Sequence, residues 1–260
     1  MTQREPPSKL QRKHSARPAN NCVNRSGESG RNQNGKRNVA TRLRLSLCCE
    51  TVMTPEDVKQ LSHDFLAQHN VRVNDALPCI EASQELSPQS PDNVARRAVV
   101  LGHIIGIGFG QTGAKLKEPL EEFGLLPYAS ANEIRLLNAD TYTKQEKVNA
   151  TWLVECMQAL GWCFGFVDLD PFSDCDNQLA SHFPAPFTDP SDFIANATLR
   201  SFPELYQQAD LHYRLHWVCR DARLNGSDSP LNEGVIRERR KAIDWVVGVE
   251  PDWDEIPMDT

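Results

Sequence analysis

Helix-start signals recur along the chain from residue 53 onward and constrain the fold more than any other feature. At the first of them, Thr54 is followed by Pro55 and two acidic residues, the typical order of an N-cap, a first helical residue and a first turn. A second signal is a capping box that pairs Ser130 with Glu133. Alternating apolar and polar residues, typical of half-buried strands, are sparse. The sequence therefore predicts an all-α fold.

The apolar spacing predicts a single domain over residues 53–260, with about seven or eight helices, long loops and a C-terminal segment docked on the helices. The strongest helical patterns cover residues 143–164, 203–224 and 232–247. Shorter helices are predicted over residues 55–69, 93–107, 119–124 (starting at Pro119), 130–137 and 190–199. The remaining segments are predicted to be extended over residues 71–80 and to be loops over residues 81–92 and 168–189.

Residues 1–52 differ from the rest of the chain in charge. They carry eleven Lys and Arg against three Glu, whereas residues 53–260 carry seventeen basic against thirty-two acidic residues. The segment is poor in large apolar residues, so it cannot bury enough surface to offset the entropy of ordering, and we expect a disordered basic tail. Three interpretations of it stay open: an organelle transit peptide, a nucleic-acid-binding arm, or a start site placed too far upstream of Met53.

The acidic balance of residues 53–260 restricts the partners of the domain. A nucleic acid is an unfavourable partner, because its phosphates carry the same sign of charge. No apolar run reaches the ~18–20 residues that a membrane helix needs, so we expect no membrane partner. The eight cysteines contain no C-x-x-C pair. Cys156 and Cys163, two helical turns apart, are typical of core positions, and we expect reduced thiols in a cytoplasmic protein.

Ionisable residues fall on the predicted inner faces of three helices. In the helix over 143–164, Glu155 shares the sector of Val148, Trp152, Ala159 and Trp162. In the last helix, Arg239 and Arg240 lie within the apolar stripe, whereas the residues predicted to point away are Arg237, Glu238, Lys241 and Asp244. In the helix over 203–224, the residues on apolar faces are His212, His216 and Arg220, and the narrow polar sector holds Gln207, Asp210, Arg214 and Asp221.

These positions predict a partly buried polar network, since an isolated buried charge costs about several kcal/mol. Its expected members are Glu155, Arg220, Arg239 and Arg240. The candidate partners in the C-terminal segment are Asp252, Asp254, Asp259 and the terminal carboxylate of Thr260, and the secondary candidates are Asp210, Arg214 and Glu238. Two interpretations stay open: the network only fixes how the helices and the C-terminal segment dock, or its arginines line an anion or substrate pocket.

Three further patterns carry weak signals. His212 and His216 have the i, i+4 spacing of metal ligands, but no third ligand is fixed by spacing, so we expect neither a metal nor a cofactor. Residues 108–113 read G-x-G-x-x-G without the strand–helix–strand context of a dinucleotide site, and a mobile glycine linker is the simpler interpretation. The aspartates of residues 168–176 lack the turn glycine and the closing glutamate of a calcium loop, so we interpret them as a solvated acidic loop.

The closing block of the chain, residues 234–245 with Asp252-Trp253-Asp254 and Asp259-Thr260, resembles the C-terminal signature of the domain of unknown function 4272 family. Further similar positions are Leu77-Pro78, Arg97-Ala98, Trp152, Glu155, Ala159-Leu160-Gly161, Cys175-Asp176, Leu199-Arg200, Ala209-Asp210 and Tyr213 to Trp217. The resemblance covers about residues 65–260 and departs at Leu153 and Gln158, where the family pattern usually has Arg and often has Trp. It implies the domain limits and a cytoplasmic, bacterial-type setting, and it supplies no mechanism.

Two hypotheses about function follow. The first is a non-enzymatic interaction or regulatory module with a protein partner. The second is an enzyme or small-ligand binder that uses an Arg/Glu-lined pocket for a small anionic ligand. The two differ in their expected geometry. A binding pocket should be concave, open to solvent and lined by Arg220, Arg239 and Arg240, whereas a structural network should be closed and fully paired.

Overall fold

The computed structural model describes residues 53–260, and the predictions for residues 1–52 lie outside the described residues. The described range contains helices and no strand, which confirms the all-α prediction. Its α-helices are α1 (Pro55–Gln68), α2 (Pro91–Gly108), α3 (Gly113–Glu122), α4 (Ala131–Leu137), α5 (Lys144–Cys163), α6 (Ser191–Ala195), α7 (Phe202–Asn225) and α8 (Glu233–Val247). Two short 3-10 helices cover Leu126–Tyr128 and Leu179–His182.

Side-chain caps fix where the helices begin. The Thr54 hydroxyl accepts the N–H of Asp57, and the Asp57 carboxylate in turn accepts the N–H of Thr54, which forms a complete capping box at α1. The same reciprocal pattern starts α4 at Ser130 and α5 at Thr143. Each box satisfies two N–H groups that the first turn of a helix leaves free. These starts are the ones that the sequence predicts.

Two helix boundaries differ from the prediction. α3 begins at Gly113 rather than at Pro119, and Pro119 lies inside the helix, buried with Leu116 and Leu120. The proline removes one helical hydrogen bond, and burial of its ring on the core face of the helix offsets that loss. α6 ends at Ala195, well before Leu199, because Asn196 turns the chain and its own side chain caps the Asp192 carbonyl.

The main core lies between α2, α5, α7 and α8. α5 packs on both α2 and α8, and α8 packs on α7. Cys156 and Cys163 are completely buried in this core, in agreement with their two-turn spacing, and every cysteine of residues 53–260 is a free thiol. A second apolar cluster joins α2 to α3 and α4, and a third joins α1 to α7. No helix in the described part of the chain has the length and apolar character to span a membrane.

The N-terminal half of α5 departs from the predicted inner face. Val148 and Trp152 are 39% and 37% exposed, whereas Glu155 is buried. Trp152 is nevertheless packed on one side, where a Cβ added at Gly234 of α8 would lie 3.0 Å from its ring. The helical wheel places a residue on a face but does not show how far along the helix the neighbours extend.

The C-terminal segment, residues 249–260, docks on the helices as predicted. Trp253 is 5% exposed, and its ring meets Trp245 of α8 edge to face at a centroid distance of 5.6 Å. Ile256 is also buried. α8 leads into this segment through Gly248, whose φ of 85° is in the left-handed region that favours glycine. The docked segment therefore forms one wall of the site described next.

Candidate functional site

Four arginines are buried in ion pairs with buried carboxylates. The side chains in these pairs are at most 7% exposed, which puts all eight charged groups inside the protein. Buried ions of this kind require close partners, because the interior solvates them poorly. The pairs are Arg97–Glu133 at 2.6 Å, Arg214–Asp210 at 2.8 Å, Arg239–Glu155 at 2.7 Å and Arg240–Asp244 at 3.0 Å.

Each of these arginines also donates to backbone carbonyls of a segment outside the long helices. Arg97 donates to the Tyr128 carbonyl at 2.9 Å, and Arg214 to the Pro78 carbonyl at 3.3 Å. A guanidinium has five N–H donors, so it can bind a carboxylate and a loop together. The remaining contacts are Arg239 to the carbonyls of Asp170 and Ser173, and Arg240 to the carbonyl of Asp259. The four pairs thus fasten four separate segments to the helices.

In the Glu155–Arg239 pair, every nitrogen of the arginine already has an acceptor. Arg239 uses Nε and both terminal nitrogens on Glu155 and on two loop carbonyls, at 2.7 to 2.9 Å. Glu155 also accepts the N–H of Cys175 at 3.2 Å. Gln158 adds two hydrogen bonds to the same loop, one to the Asp168 carbonyl and one from the Asp176 N–H. This geometry holds the loop over residues 168–176 in place and leaves Arg239 no free nitrogen for a ligand.

The Arg240–Asp244 pair is different, because both of its members line the same cavity. Arg240 donates through Nε to Asp244 Oδ2 and through Nη1 to the Asp259 carbonyl at 2.8 Å. Nη1 also lies 2.8 Å from His216 Nδ1, which must accept, since a guanidinium only donates. Burial and the adjacent Arg240 lower the pKa of His216 to about 4. The histidine is therefore neutral near pH 7 and supports the arginine as an acceptor.

Burial raises the pKa of Asp244 to about 7. Arg240 opposes this upward shift of the pKa, and the neighbouring Glu81 adds a smaller contribution in the upward direction. Only Oδ2 of this carboxylate receives a hydrogen bond from the described residues. A buried carboxyl group whose pKa lies near neutral pH is a candidate functional group.

The cavity beside this pair has a volume of about 330 Å³. It lies between the segment over residues 78–86, α7, α8 and the C-terminal segment, and we call it the Arg240 cavity. Tyr213 of α7 contributes its ring, whose centroid is 5.1 Å from the guanidinium carbon of Arg240. The lining residues are Pro78, Cys79, Ile80, Glu81, Leu86, Ala209, Tyr213, Arg240, Asp244, Val247, Val249, Pro257, Asp259 and Thr260.

A comparison with models of protein families identifies the family of this chain. The model of the family described as domain of unknown function (DUF4272) matches residues 58–256. The chain belongs to the DUF4272 family. This confirms the resemblance seen in the closing block of the sequence, whereas neither the curated proteins nor the solved structures gave a match. The four buried ion pairs all lie within the matched residues.

In this DUF4272 domain the predicted polar network is not one network. Glu155 and Arg239 hold the loop over residues 168–176, whereas Arg240 belongs to the cavity and the C-terminal segment. Arg220 contacts the Met258 carbonyl at 3.5 Å and the Thr260 hydroxyl at 3.3 Å, and it is not part of the cavity wall. The prediction of one linked cluster is wrong because consecutive residues of α8, Arg239 and Arg240, diverge by 100° around the helix.

The aspartates of the C-terminal segment of the DUF4272 domain do not pair with these arginines through their carboxylates. Asp252 accepts the N–H of Asp254, and Asp254 accepts the N–H of Asn132 at 2.9 Å. Asp259 contributes its backbone carbonyl to Arg240. Asp252 thus binds within its own turn, as turn aspartates often do, whereas Asp254 binds the start of α4. The segment is therefore held by the Asp254 carboxylate, by the Asp259 carbonyl and by Trp253.

Three residues predicted to be outside are buried. Asp210 and Arg214 belong to the predicted polar sector of α7, yet they are 0% and 1% exposed, because α1 and the segment at Pro78 cover that sector. Asp244 is 5% exposed and lines the cavity together with the segment over residues 78–86. Glu238 is half-buried, and its carboxylate lies 3.4 Å from the Cys156 thiol. The burial of these four side chains is therefore visible only in the tertiary structure.

The histidine and glycine patterns have structural explanations. His212 is completely buried, with Nδ1 on the Gln208 carbonyl at 3.1 Å, and burial lowers its pKa to about 3. No group of three metal-binding side chains comes together among the residues that the structure describes. Gly108 and Gly113 are packed closely, since a Cβ would lie 2.4 Å from Thr151 and 2.5 Å from a carbonyl of α4. The expected mobile linker is instead a tightly packed turn.

The Arg97–Glu133 pair is the part of the site that sequence reasoning missed. The sequence pattern identifies Glu133 only as a member of the capping box, although the same carboxylate also binds Arg97 through two nitrogens at 2.6 Å. Arg97 lies against the ring of Trp253, 4.1 Å from its centroid. The position of Arg97 within a strongly apolar helix indicates that the arginine is buried. Its partner cannot be identified from the sequence, because Glu133 lies in another helix at no characteristic spacing from Arg97.

Proposed function

We propose that this DUF4272 domain is a non-enzymatic regulatory module that binds a small polar ligand in the Arg240 cavity. One observation carries the proposal: a buried ion pair, Arg240–Asp244, lies in the wall of a partly open cavity of about 330 Å³. Pockets for small molecules typically have volumes of about 300–1,000 Å³ and combine apolar walls with a few convergent polar groups. Here Leu86, Val247 and Val249 supply apolar wall.

The regulatory part of the proposal rests on the position of Arg240. The same guanidinium binds Asp244 in the cavity and the Asp259 carbonyl in the C-terminal segment. A ligand that rearranges the ion pair therefore changes the contact that holds residues 257–260, while Trp253 and Ile256 keep the earlier part of the segment anchored. A ligand can shift such an equilibrium by its difference in affinity for the two arrangements. The C-terminal segment would then transmit ligand binding to a protein partner.

A second function, acid–base catalysis, has one observation in its favour. The pKa of Asp244 is raised to about 7, and a group that titrates near neutral pH is suited to proton transfer. Against it, Arg240 already donates to Asp244, His216 and Asp259, which leaves few donors to stabilise a developing negative charge. We therefore favour binding over catalysis.

We also propose that the protein acts in the cytoplasm. Five free thiols occur within residues 53–260, three of them buried in the core. Free thiols are typical of reducing compartments, where glutathione and thioredoxin keep them reduced. Fractionation of cells that express a tagged chain tests this location directly, and recovery in a secreted or membrane fraction would contradict it.

Native mass spectrometry of the full chain, after incubation with a small-molecule extract of cells, tests the binding proposal. We expect a bound small molecule on the unaltered protein and its loss from Leu86→Trp and Ala209→Leu, which fill the cavity from two sides. Ala195→Leu at the exposed end of α6 is the matched control and should keep the ligand. Thermal unfolding establishes that each variant is folded.

The outcomes separate the alternatives. Binding that survives both cavity-filling variants would place the ligand elsewhere, and the absence of any bound molecule on the unaltered protein would reject the proposal. Conversion of the bound molecule to a product, lost in Asp244→Asn, would favour catalysis instead.

A further inference from the structure

We infer that the turn over residues 185–188 is a pH-sensitive cover, which closes over the neutral ring of His103 and opens when this histidine binds a proton. His103 lies in α2 and is 4% exposed. The ring of Phe187, which is 46% exposed, meets the His103 ring edge to face at a centroid distance of 5.9 Å. A half-exposed ring on a turn thus packs against a buried histidine. Neither residue lines the Arg240 cavity, so the cover is independent of the proposed function.

The turn holds Phe187 in a backbone conformation that a phenylalanine rarely adopts. The N–H of Thr188 donates to the carbonyl of Ala185 at 3.2 Å, which closes a β-turn with Pro186 and Phe187 at its centre. Phe187 has a φ of 67°, and in such a turn glycine or asparagine normally follows the proline. A bulky residue in this left-handed region costs free energy. A rearranged turn, with a negative φ at Phe187, would be free of this strain.

Few contacts hold the turn in place. Residues 184–189 form no hydrogen bond to α2 or α3 within the described part of the chain. On the α3 side, the aromatic ring of the turn has its centroid 5.4 Å from the ammonium group of Lys115. The chain is fixed on either side, because Phe183 packs on the main core and Asp189 accepts the N–H of Ser191 at 2.9 Å. The turn can therefore move between two anchored ends.

The hydrogen bonds of His103 explain why a proton would open the turn. Its Nδ1 lies 2.8 Å from the Val99 carbonyl, and since a carbonyl only accepts, Nδ1 carries the hydrogen of the neutral ring. Nε2 is buried and has no hydrogen-bond partner among the described residues. The neutral ring has only a lone pair at Nε2, whereas the protonated ring has an N–H and a positive charge, which are costly to bury without an acceptor. Opening of the turn would expose Nε2 to water.

No charged side chain compensates for the burial of a protonated His103. Burial lowers the pKa of His103, the Val99 carbonyl opposes this shift, and no ionisable side chain of α3, α5, α6 or another described element contributes to it. The ionisable residues beside the ring and the turn are Lys115, His182 and Asp189. In the open turn, the hydrated ring would have its ordinary pKa of 6.5. Below that pH, protons bind preferentially to the open form, so the ratio of open to closed turn should increase by up to about tenfold per pH unit.

An NMR titration of the full chain between about pH 8 and pH 4.5 tests the cover directly. The nuclear Overhauser effect between the rings of Phe187 and His103 should be present at the upper pH and should decline as His103 binds its proton. The effect between the rings of Phe183 and Phe193, at a similar centroid distance of 5.8 Å, is the internal control and should persist. The amide signals of Phe187 and Thr188 should shift with the same midpoint as the His103 ring.

Three variants identify the group that binds the proton. His103→Gln cannot be protonated, so the amide signals of residues 187 and 188 should lose the transition that follows His103. His182→Gln, at an exposed position next to the same segment, is the matched control and should keep that transition. Phe187→Ala removes the ring that covers His103, so the pKa of His103 should rise toward 6.5.

Four results would overturn the pH-sensitive cover. Persistence of the effect between the Phe187 and His103 rings after His103 is protonated would show that the turn stays closed. A His103 that stays neutral down to pH 4.5 in the folded protein would show that the turn does not open to admit a proton. An unchanged transition of residues 187 and 188 in His103→Gln would assign the proton to another group. A pKa of His103 that is unchanged or lower in Phe187→Ala would show that the ring does not exclude the proton.

Discussion

Arg240 Nε lies 3.0 Å from Asp244 Oδ2, one turn further along α8, and the same guanidinium donates to the carbonyl of Asp259. One side chain thus joins a helix, a cavity and the C-terminal segment. The other buried arginines make the same kind of double contact, each with a carboxylate and with a loop carbonyl. What distinguishes Arg240 is that it and its partner Asp244 line the same cavity, which is why we propose the ligand site there.

Replacement of Arg239 should strongly destabilise the fold. Arg239→Met leaves Glu155 buried without its partner and removes the donors to Asp170 and Ser173, so we expect a loss of about 3–5 kcal/mol in the free energy of unfolding. Urea denaturation measures the change. Arg237→Met, at a position that is 58% exposed, is the control and should change stability by less than about 0.5 kcal/mol.

The double variant Arg239→Met/Glu155→Leu sharpens this prediction. It removes both charges, so we expect it to be more stable than Arg239→Met alone. A double variant that loses as much stability as the sum of the two single changes would show that the pair is not energetically coupled.

The ionisation of Asp244 should make stability fall as pH rises. The pKa of this carboxyl is about 7 in the folded protein and 3.8 in the unfolded chain. Between these values the folded state holds a proton that the unfolded state has lost, so the free energy of unfolding decreases as pH increases. Asp244→Asn should remove this decrease over pH 5 to 8, measured by urea denaturation, while Asp192→Asn should keep it. Identical pH profiles for Asp244→Asn and the unaltered protein would contradict the assignment.

The ionisation of His212 should make stability fall as pH decreases in the acidic range. Burial lowers its pKa from 6.5 to about 3, so below pH 6.5 the unfolded chain binds a proton that the folded protein excludes. Stability is then lost as pH falls, at up to about 1.4 kcal/mol per pH unit for one proton. His212→Leu should flatten this loss between pH 6.5 and 4.5 in thermal or urea unfolding. His182→Leu, at an exposed position, is the control, and an equal flattening there would refute the prediction.

Loss of the Trp253 ring should release the C-terminal segment. The ring is 5% exposed and packs against Trp245 and the guanidinium of Arg97. We expect Trp253→Ala to reduce the free energy of unfolding by about 3–5 kcal/mol and to speed amide hydrogen exchange over residues 251–260. Phe109→Ala, at a position that is 74% exposed, should affect neither quantity. Unchanged exchange in Trp253→Ala would show that the segment is anchored elsewhere.

Two glycines with similar backbone angles should respond differently to alanine. Gly226 and Gly248 have φ values of 64° and 85°, so either substitution costs about 1 kcal/mol from the backbone. A Cβ at Gly226 meets nothing within 4 Å, whereas one at Gly248 would lie 2.0 Å from the Ser87 carbonyl oxygen. Gly248→Ala should therefore lose several times more stability than Gly226→Ala in thermal unfolding. Equal losses would mean that the segment at Ser87 is free to move away.

The sequence alone predicts the helices well and the site in part. Caps such as Thr54, Ser130 and Thr143 depend on residues three positions apart, so the helix starts are local information. Burial of Glu155, Arg239 and Arg240 follows from their places on apolar helix faces. The helical wheel places Asp244, Asp210 and Arg214 on outer faces, because it does not include the distant segments that cover them.

What the sequence determines is therefore the helical content, the helix starts and the presence of charged groups on inner faces, because each depends on residues within one or two helical turns. The tertiary structure alone decides which carboxylate each arginine binds, which loop it fastens and that only the Arg240–Asp244 pair borders the Arg240 cavity. The physical reason is that pairing depends on a few ångströms between helices far apart in sequence, and Arg97 and Glu133 show it most clearly.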